Sequence, residues 1–220
     1  MEKLNLDYWR RVFSNLTAAF NAAKISLCQL DGAIGDGDHG ASMARGFQEM
    51  ENDLSSLGEP PDVATLFRTA GNAFLNKVGG VSGVIFATFF LEAGKKAEGL
   101  TEIDASTLTL MLAGALEGVK KKGRGNEGDK SMIDALAPAV AALQKMTAQG
   151  ADWKEVLPAL AAAAQQGSEA TKTMPAKVGR ARYQKEKGVG HVDPGSASIA
   201  LFFRTLAETG KCFGLCGGSC

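Results

Sequence analysis

Apolar residues recur at three- and four-residue intervals along almost the whole chain, and no stretch keeps a two-residue alternation for long. That periodicity commits the chain to helices. "NLDYWRRVFSNLTAAFNAAKISLCQ" reads as a first long helix, and "GASMARGFQEMENDLSS" continues in kind. Asp62 can N-cap "VATLFRTAGNAFLNK", and Ser82 can N-cap "GVIFATFFLEAGKKA". "DASTLTLMLAGALEGVKKK" ends in lysines, which suit the negative pole of a helix dipole. Ser131 opens "MIDALAPAVAALQKM", where Pro138 is expected to bend the helix. Asp152 opens "WKEVLPALAAAAQQGSEATK", and Pro194 stands in the first turn of "GSASIALFFRTLAET". Alanine-rich runs at 135–142 and 159–164 imply close helix–helix packing. The expected fold is all-α: an eight-helix antiparallel bundle or barrel over residues 1–210, followed by a Gly/Cys-rich tail, 211–220.

Length and charge set outer bounds. A chain of 220 residues can bury a substantial core. Its 24 basic and 24 acidic residues cancel, so it has no electrostatic footprint for nucleic acid or an anionic membrane. The best apolar run, "VIFATFFLEAG", is interrupted by Glu92, and "MEKLNLDYWRR" lacks the apolar core of a signal peptide. A cytoplasmic protein is expected. Cys28 reads as a core residue. Cys212, Cys216 and Cys220 are spaced to share a helix face, as a metal clip would need, but their glycine-rich terminal setting favours a frayed tail.

Four polar loops interrupt the helices, at 29–40, 77–83, 122–131 and 173–195. Successive antiparallel helices bring alternate connections to the same end. These four would therefore share one end, with 56–61, 98–104 and 149–151 at the other. Topology alone predicts a composite site at one mouth of the bundle.

The chemistry of the loops narrows that site. Asp31, Asp36 and Asp38 stand among glycines 32, 35 and 37, and converging carboxylates on a tight turn suit a hard cation such as Mg2+. An EF-hand is excluded: position 12 is Ser42 counting from Asp31 and Phe47 counting from Asp36, so no glutamate closes the loop. "GDGDHG" spells the dinucleotide fingerprint, but a helix precedes it where a strand is required, and its two carboxylates would repel bare pyrophosphate. "KVGGVSG" (77–83) opens a helix whose amides could receive phosphate, although it is no Walker motif. In "KKGRGNEGDKSMIDAL" (121–136), Asp129 and Lys130 read by default as surface charges. "MPAKVGRARYQKEKGVGHVDPGSAS" is long for a bundle connection, and long ordered loops tend to be functional. Acids for cations, with amides and arginine for anions, describe a Mg–nucleotide site.

These segments resemble the nucleotide-binding (DhaL-type) subunit of dihydroxyacetone kinase. "DGAIGDGDHG", "KVGGVSG", "KKGRGNEGDKSMIDAL" and "GRARYQKEKGVGHVDPG" occur in that family's order and span nearly the whole chain. His39 separates it from the related fatty acid kinase domain, whose loop reads "DGDTG". The resemblance implies an eight-helix barrel holding ADP or ATP through two Mg2+ ions, with Asp31, Asp36 and Asp38 as metal ligands. His39, Gly40, Ala41 and Ser42 would touch the nucleotide. Gly80, Val81 and Ser82 would hold its phosphates, and Gly123 and Met132 would line the adenine side. Arg180, Asp193, Pro194 and Gly195 would complete the pocket. Arg182, Gln184 and Lys185 depart from the family's usual small or apolar residues, while Glu186 is kept.

No side chain offers a general base or a ketone-binding lysine. The resemblance explains this: a partner subunit holds the ketose, and this chain is the phosphoryl-donor half of a dihydroxyacetone or related short-ketose kinase. In one branch a phosphotransferase-system protein recharges bound ADP, and separate-subunit length points to that branch. The alternatives are an ATP-exchanging kinase subunit and a nucleotide-dependent module docking on a transcription factor. A homodimer is compatible with each.

Overall fold

The computed structural model describes residues 3–184, 186 and 188–215. Among them are nine α-helices: α1 (Leu6–Ala22), α2 (Lys24–Ile34), α3 (His39–Ser56), α4 (Val63–Lys77), α5 (Gly80–Gly94), α6 (Ala105–Gly123), α7 (Ile133–Ala148), α8 (Trp153–Ala170) and α9 (Pro194–Cys212). A two-residue antiparallel pairing, Leu4 with Ile103 and Asn5 with Glu102, joins the start of the chain to the α5–α6 connection. No described helix is long and apolar enough to cross a membrane.

Each helix from α3 to α9 packs on the next, and α1 packs on both α3 and α9. Eight helices thus close a ring. The ninth, α2, arises because the expected first helix is divided at Ala23, after which α2 leaves the ring and leans on α3 and α9. No helix breaker marks that division. After the division α2 lies close against the start of α3 at Gly40, where a Cβ would overlap the Lys24 carbonyl oxygen and the Cys28 amide nitrogen. Cys28 lies there half-buried as a free thiol rather than in the core.

A chain of aromatic rings fills the barrel. Phe20 stacks on Phe47 at 4.0 Å, and Phe47 meets Phe74 edge-on at 5.0 Å. Phe90 lies within 6.3 Å of Phe13, Phe47, Phe67, Phe74, Phe89 and Phe202, tying α1, α3, α4, α5 and α9 together. At the α7–α8 contact, Gly167 leaves room for Pro138 and the Asp134 carbonyl; α7 runs through Pro138 as one helix.

Several helix starts follow the sequence. The Asp62 carboxylate accepts the Thr65 amide at 2.8 Å, Asp152 and Glu155 form a capping box, and Pro194 opens α9 behind Asp193. Others shift. α5 begins at Gly80 with Gly79 as its N-cap, so Ser82 lies within the first turn. α7 begins at Ile133, and Asp134 rather than Ser131 organises its entry: the Asp134 carboxylate accepts the amides of Gly128 at 2.5 Å and Ser131 at 2.8 Å. At the other end of the chain, α9 continues to Cys212, and Phe213 packs edge-on against Tyr8 at 5.4 Å. Cys216 and Cys220, two of the three cysteines in the expected tail, lie outside the described residues, as does Lys185.

Candidate functional site

The starts of α3, α5, α7 and α9 meet at one mouth of the ring, around a cavity of ≈ 640 Å³. Its wall draws on all four loops expected to share that end. Four helix N-termini direct their partial positive charge at it. The start of α3 is occupied by Asp31, whose Oδ2 accepts the amides of Asp38 at 2.9 Å and His39 at 3.2 Å. The start of α9 is capped by Asp193, which accepts the Ser196 amide at 2.7 Å. By contrast, the α5 N-cap is Gly79 and has no side-chain cap, and residues 79–82 line the cavity, an arrangement suited to an anion.

The three aspartates converge as expected. One oxygen from each of Asp31, Asp36 and Asp38 lies within 4.8 Å of the other two. Asp31 is not on the loop: α2 continues to Ile34, so Asp31 projects from its last turn and is buried, while Asp36 and Asp38 are exposed on the turn that follows. A Cβ at Gly35 would overlap Asp31 Oδ1, so only glycine leaves that oxygen room. Oδ2 already serves two amides, which leaves Oδ1 for a cation. Hard carboxylate oxygens in this density suit Mg2+. The Arg180 guanidinium pairs with Asp36 from across the mouth, bringing the loop after α8 into contact with the triad.

His39 lines the cavity but is spoken for. Its Nε2 lies 2.8 Å from Ser198 Oγ, and burial pushes its pKa down to about 4, against the pull of Asp31 and of its hydrogen bond to the Pro194 carbonyl. At neutral pH the ring is uncharged. The ring engages the Ser198 hydroxyl and the Pro194 carbonyl, which ties the start of α3 to the start of α9. Of the other expected contacts, Ser42 reaches the wall from α3, and Gly80, Val81 and Ser82 from α5. Gly123 and Met132 line it from the ends of the α6–α7 loop, and Arg180, Asp193, Pro194 and Gly195 from the last loop. Gly40 and Ala41 do not line the cavity, and Gly40 is turned onto α2 instead. Burial pushes the Asp193 carboxyl up to about 7; the Ser196 amide and Lys130 pull it down, and Asp134 and Asp31 push it further up.

Two residues read as surface charges are buried at this mouth. Lys130 is 2% and Asp129 9% exposed. Lys130 has φ 60°, left-handed backbone that a side-chain-bearing residue seldom adopts. Its Nζ donates to the Thr171 carbonyl at 2.5 Å and to the His191 carbonyl. Burial lowers its pKa, and the carboxylates of Asp193 and Asp134 oppose that shift. Asp129 accepts the Asn126 amide at 2.7 Å and the Lys177 ammonium at 3.0 Å, which hold its carboxyl below the usual range although burial works the other way. Nothing in "GDKS" separates these residues from solvated charges.

A family model, the DAK2 domain, matches residues 33–208. The chain belongs to the DAK2 family. It is 40% identical over 203 residues to a Listeria innocua protein, the ADP-binding subunit DhaL of PEP-dependent dihydroxyacetone kinase 1, covering 92% of each chain. It is 33% identical to the Escherichia coli ADP-binding subunit DhaL, over 87% of this chain and 91% of that one. Among solved structures it resembles the dihydroxyacetone kinase of C. freundii, with a TM-score of 0.70 and 31% identity over 90% of this chain and 34% of that one. The same enzyme in complex with AMP-PNP and Mg2+ gives a TM-score of 0.68. This DAK2 chain therefore corresponds to about a third of that kinase, and the all-α barrel agrees with the likeness.

Proposed function

We propose that this chain binds ADP or ATP with two Mg2+ ions at the barrel mouth. From there it passes a phosphoryl group to dihydroxyacetone, or a related short ketose, held by a partner subunit. ADP that remains bound is recharged by a phosphotransferase-system protein. The observation that carries this reading is the aspartate triad set beneath four converging helix N-termini, in a chain whose relatives are named as ADP-binding kinase subunits. Asp31 through Oδ1, Asp36 and Asp38 would hold the cations, whose chemistry is to neutralise charge on the phosphates. The amides at 80–82 and the Ser82 hydroxyl supply fixed donors to the phosphates, and Arg180 supplies a mobile positive charge. Ile85, Phe86 and Met132 give an apolar wall suited to a base. The acceptor ketose is left to the partner subunit.

Denaturing the purified protein and identifying the small molecules released tests the nucleotide. Adding the ketose-binding subunit and following phosphoryl transfer to dihydroxyacetone tests the reaction. ADP that survives dialysis fits recharging in place, whereas free exchange with ATP fits an ATP-using subunit. A chain that binds no nucleotide in Mg2+ overturns the reading.

A further inference from the structure

We infer that Lys130 is a positioning residue: its ammonium ties together the two ends of the strap between α8 and α9 and thereby holds Arg180 over the aspartate triad. This rests on the reading of the mouth as a Mg–nucleotide site. The strap leaves α8 at Thr171 and re-enters α9 at Asp193. Lys130 Nζ donates to Thr171 at one end and His191 at the other. Two further bonds draw the same base shut, from the Asp193 amide to Thr171 Oγ1 at 2.9 Å and from the Gly190 amide to the Lys172 carbonyl at 2.7 Å. The outgoing limb is pinned by Asp129, which takes the Lys177 amide on its carbonyl at 3.1 Å and the Lys177 ammonium on its carboxylate. Beneath the strap, Ala176 and Ala181 pack on Ile34 at the end of α2, forming a core of their own apart from the barrel. Arg180 sits next to Ala181 and pairs with Asp36. The line from Lys130 to the triad is continuous: Lys130, the strap ends, the small core, Arg180, Asp36.

The residue type fits the task. Two carbonyls must be drawn to one point, and an ammonium carries three donors on one atom. A planar guanidinium cannot do this in the same space. Lys130 also carries left-handed backbone, a cost that functional positions commonly carry.

The test is a double-mutant cycle on the dissociation rate of Mg–ADP from the full chain, with Lys130→Met, Arg180→Ala and the pair. Lys130→Met should speed dissociation about tenfold in the wild-type background. With Arg180 already removed it should add less than about twofold, because it acts through Arg180. A general loosening of the pocket would instead carry the full tenfold into both backgrounds, and that result overturns the inference. If Lys130→Met does not fold, Lys177→Ala takes its place; its side chain is 60% exposed and its loss leaves the core intact. In nucleotide-free protein, hydrogen exchange should accelerate over residues 172–184 in the variant and stay unchanged over α3; unchanged exchange in the strap overturns the inference. A wild-type chain that holds no Mg–ADP removes both this inference and the proposed function. A chain that binds Mg–ADP with an additive cycle removes this inference alone.

Discussion

Asp31 differs from the other two members of its triad, and the difference can be measured without any metal. Replacing Asp31 or Asp36 by alanine removes one of three like charges whose oxygens lie within 4.8 Å of one another. Each variant loses its repulsion with the other two carboxylates, so much of that relief is common to both and drops out of the comparison. What remains is specific to each. Asp36 loses an ion pair with Arg180 on the surface, a kind of contact that contributes little. Asp31 loses two charge-assisted bonds to the Asp38 and His39 amides, at 2.9 and 3.2 Å, in a buried position. Losing a helix N-cap costs roughly 0.5–2 kcal/mol, and bonds to charged groups lie at or above the upper end of that range. Asp31→Ala should thus be about 2 kcal/mol less stable than Asp36→Ala, or about 4–8 °C in Tm for a domain of this size. Urea and thermal unfolding in a chelator, followed by circular dichroism, give the comparison. With Mg2+ and ADP at a hundredfold excess over Kd, wild type should gain about 2.7 kcal/mol, and both variants should lose that gain. Equal stability of the two apo variants, within about 0.5 kcal/mol, would refute the capping role of Asp31.

Three further outcomes follow from the fold. Phe90→Ala, at the centre of six aromatic contacts, should cost about 3–5 kcal/mol, read as a lower urea midpoint. Gly40→Ala should cost at least about 1–3 kcal/mol because its methyl meets α2 backbone, while Gly79→Ala, whose methyl meets nothing within 4 Å, should stay within about 0.5 kcal/mol of wild type in the same unfolding assay. Asp62 takes bonds from the Thr65 amide and hydroxyl and from the Gly99 amide, which hold its pKa below the usual value although burial works against them. Its contribution is present above the unfolded pKa and lost as pH falls through the folded one, so Asp62→Ala should cost about 1 kcal/mol at neutral pH. That gap should close in acid, and a gap of constant size would count against the cap.

The barrel was legible because its signals are local. Periodicity sets helix faces, and Asp62, Asp152 and Pro194 mark helix starts through chemistry confined to one turn. The parity of connections then put four loops at one end without reference to any motif. The extent of α2 was also present in the sequence, since Leu27, Asp31 and Ile34 share a helical face and are its buried residues. Nothing local distinguishes a carboxylate on that face from those on the glycine-rich turn that follows. The break at Ala23 was not legible: no residue there marks it, and the close contact between α2 and α3 is made at Gly40, seventeen positions on. Nor were the buried states of Asp129 and Lys130, whose partners Lys177, Thr171 and His191 lie more than forty residues away. A polar run carries no periodicity from which burial can be read.

The charge arrangement at the mouth explains why carboxylates and anion-binding amides share so small a space. Bare phosphate drawn by the α5 start and Arg180 also meets three carboxylates, and a free cation drawn by the carboxylates meets the uncapped α5 start and the Arg180 charge. Each ion alone gains from half of the site and is opposed by the other half. On the proposed reading a metal-bound phosphate would satisfy both, with Asp31, Asp36 and Asp38 holding the cation and the helix starts receiving the phosphate. The two ligands would then be coupled, each raising the affinity of the other by the same factor. The strap adds a condition to that coupling. Arg180 pairs with Asp36, so on the proposed reading a cation engaging Asp36 would compete with the guanidinium and release it toward phosphate. The strap that carries Arg180 is anchored at its base by Lys130 and Asp129, which lets the side chain change partner while the backbone stays in place.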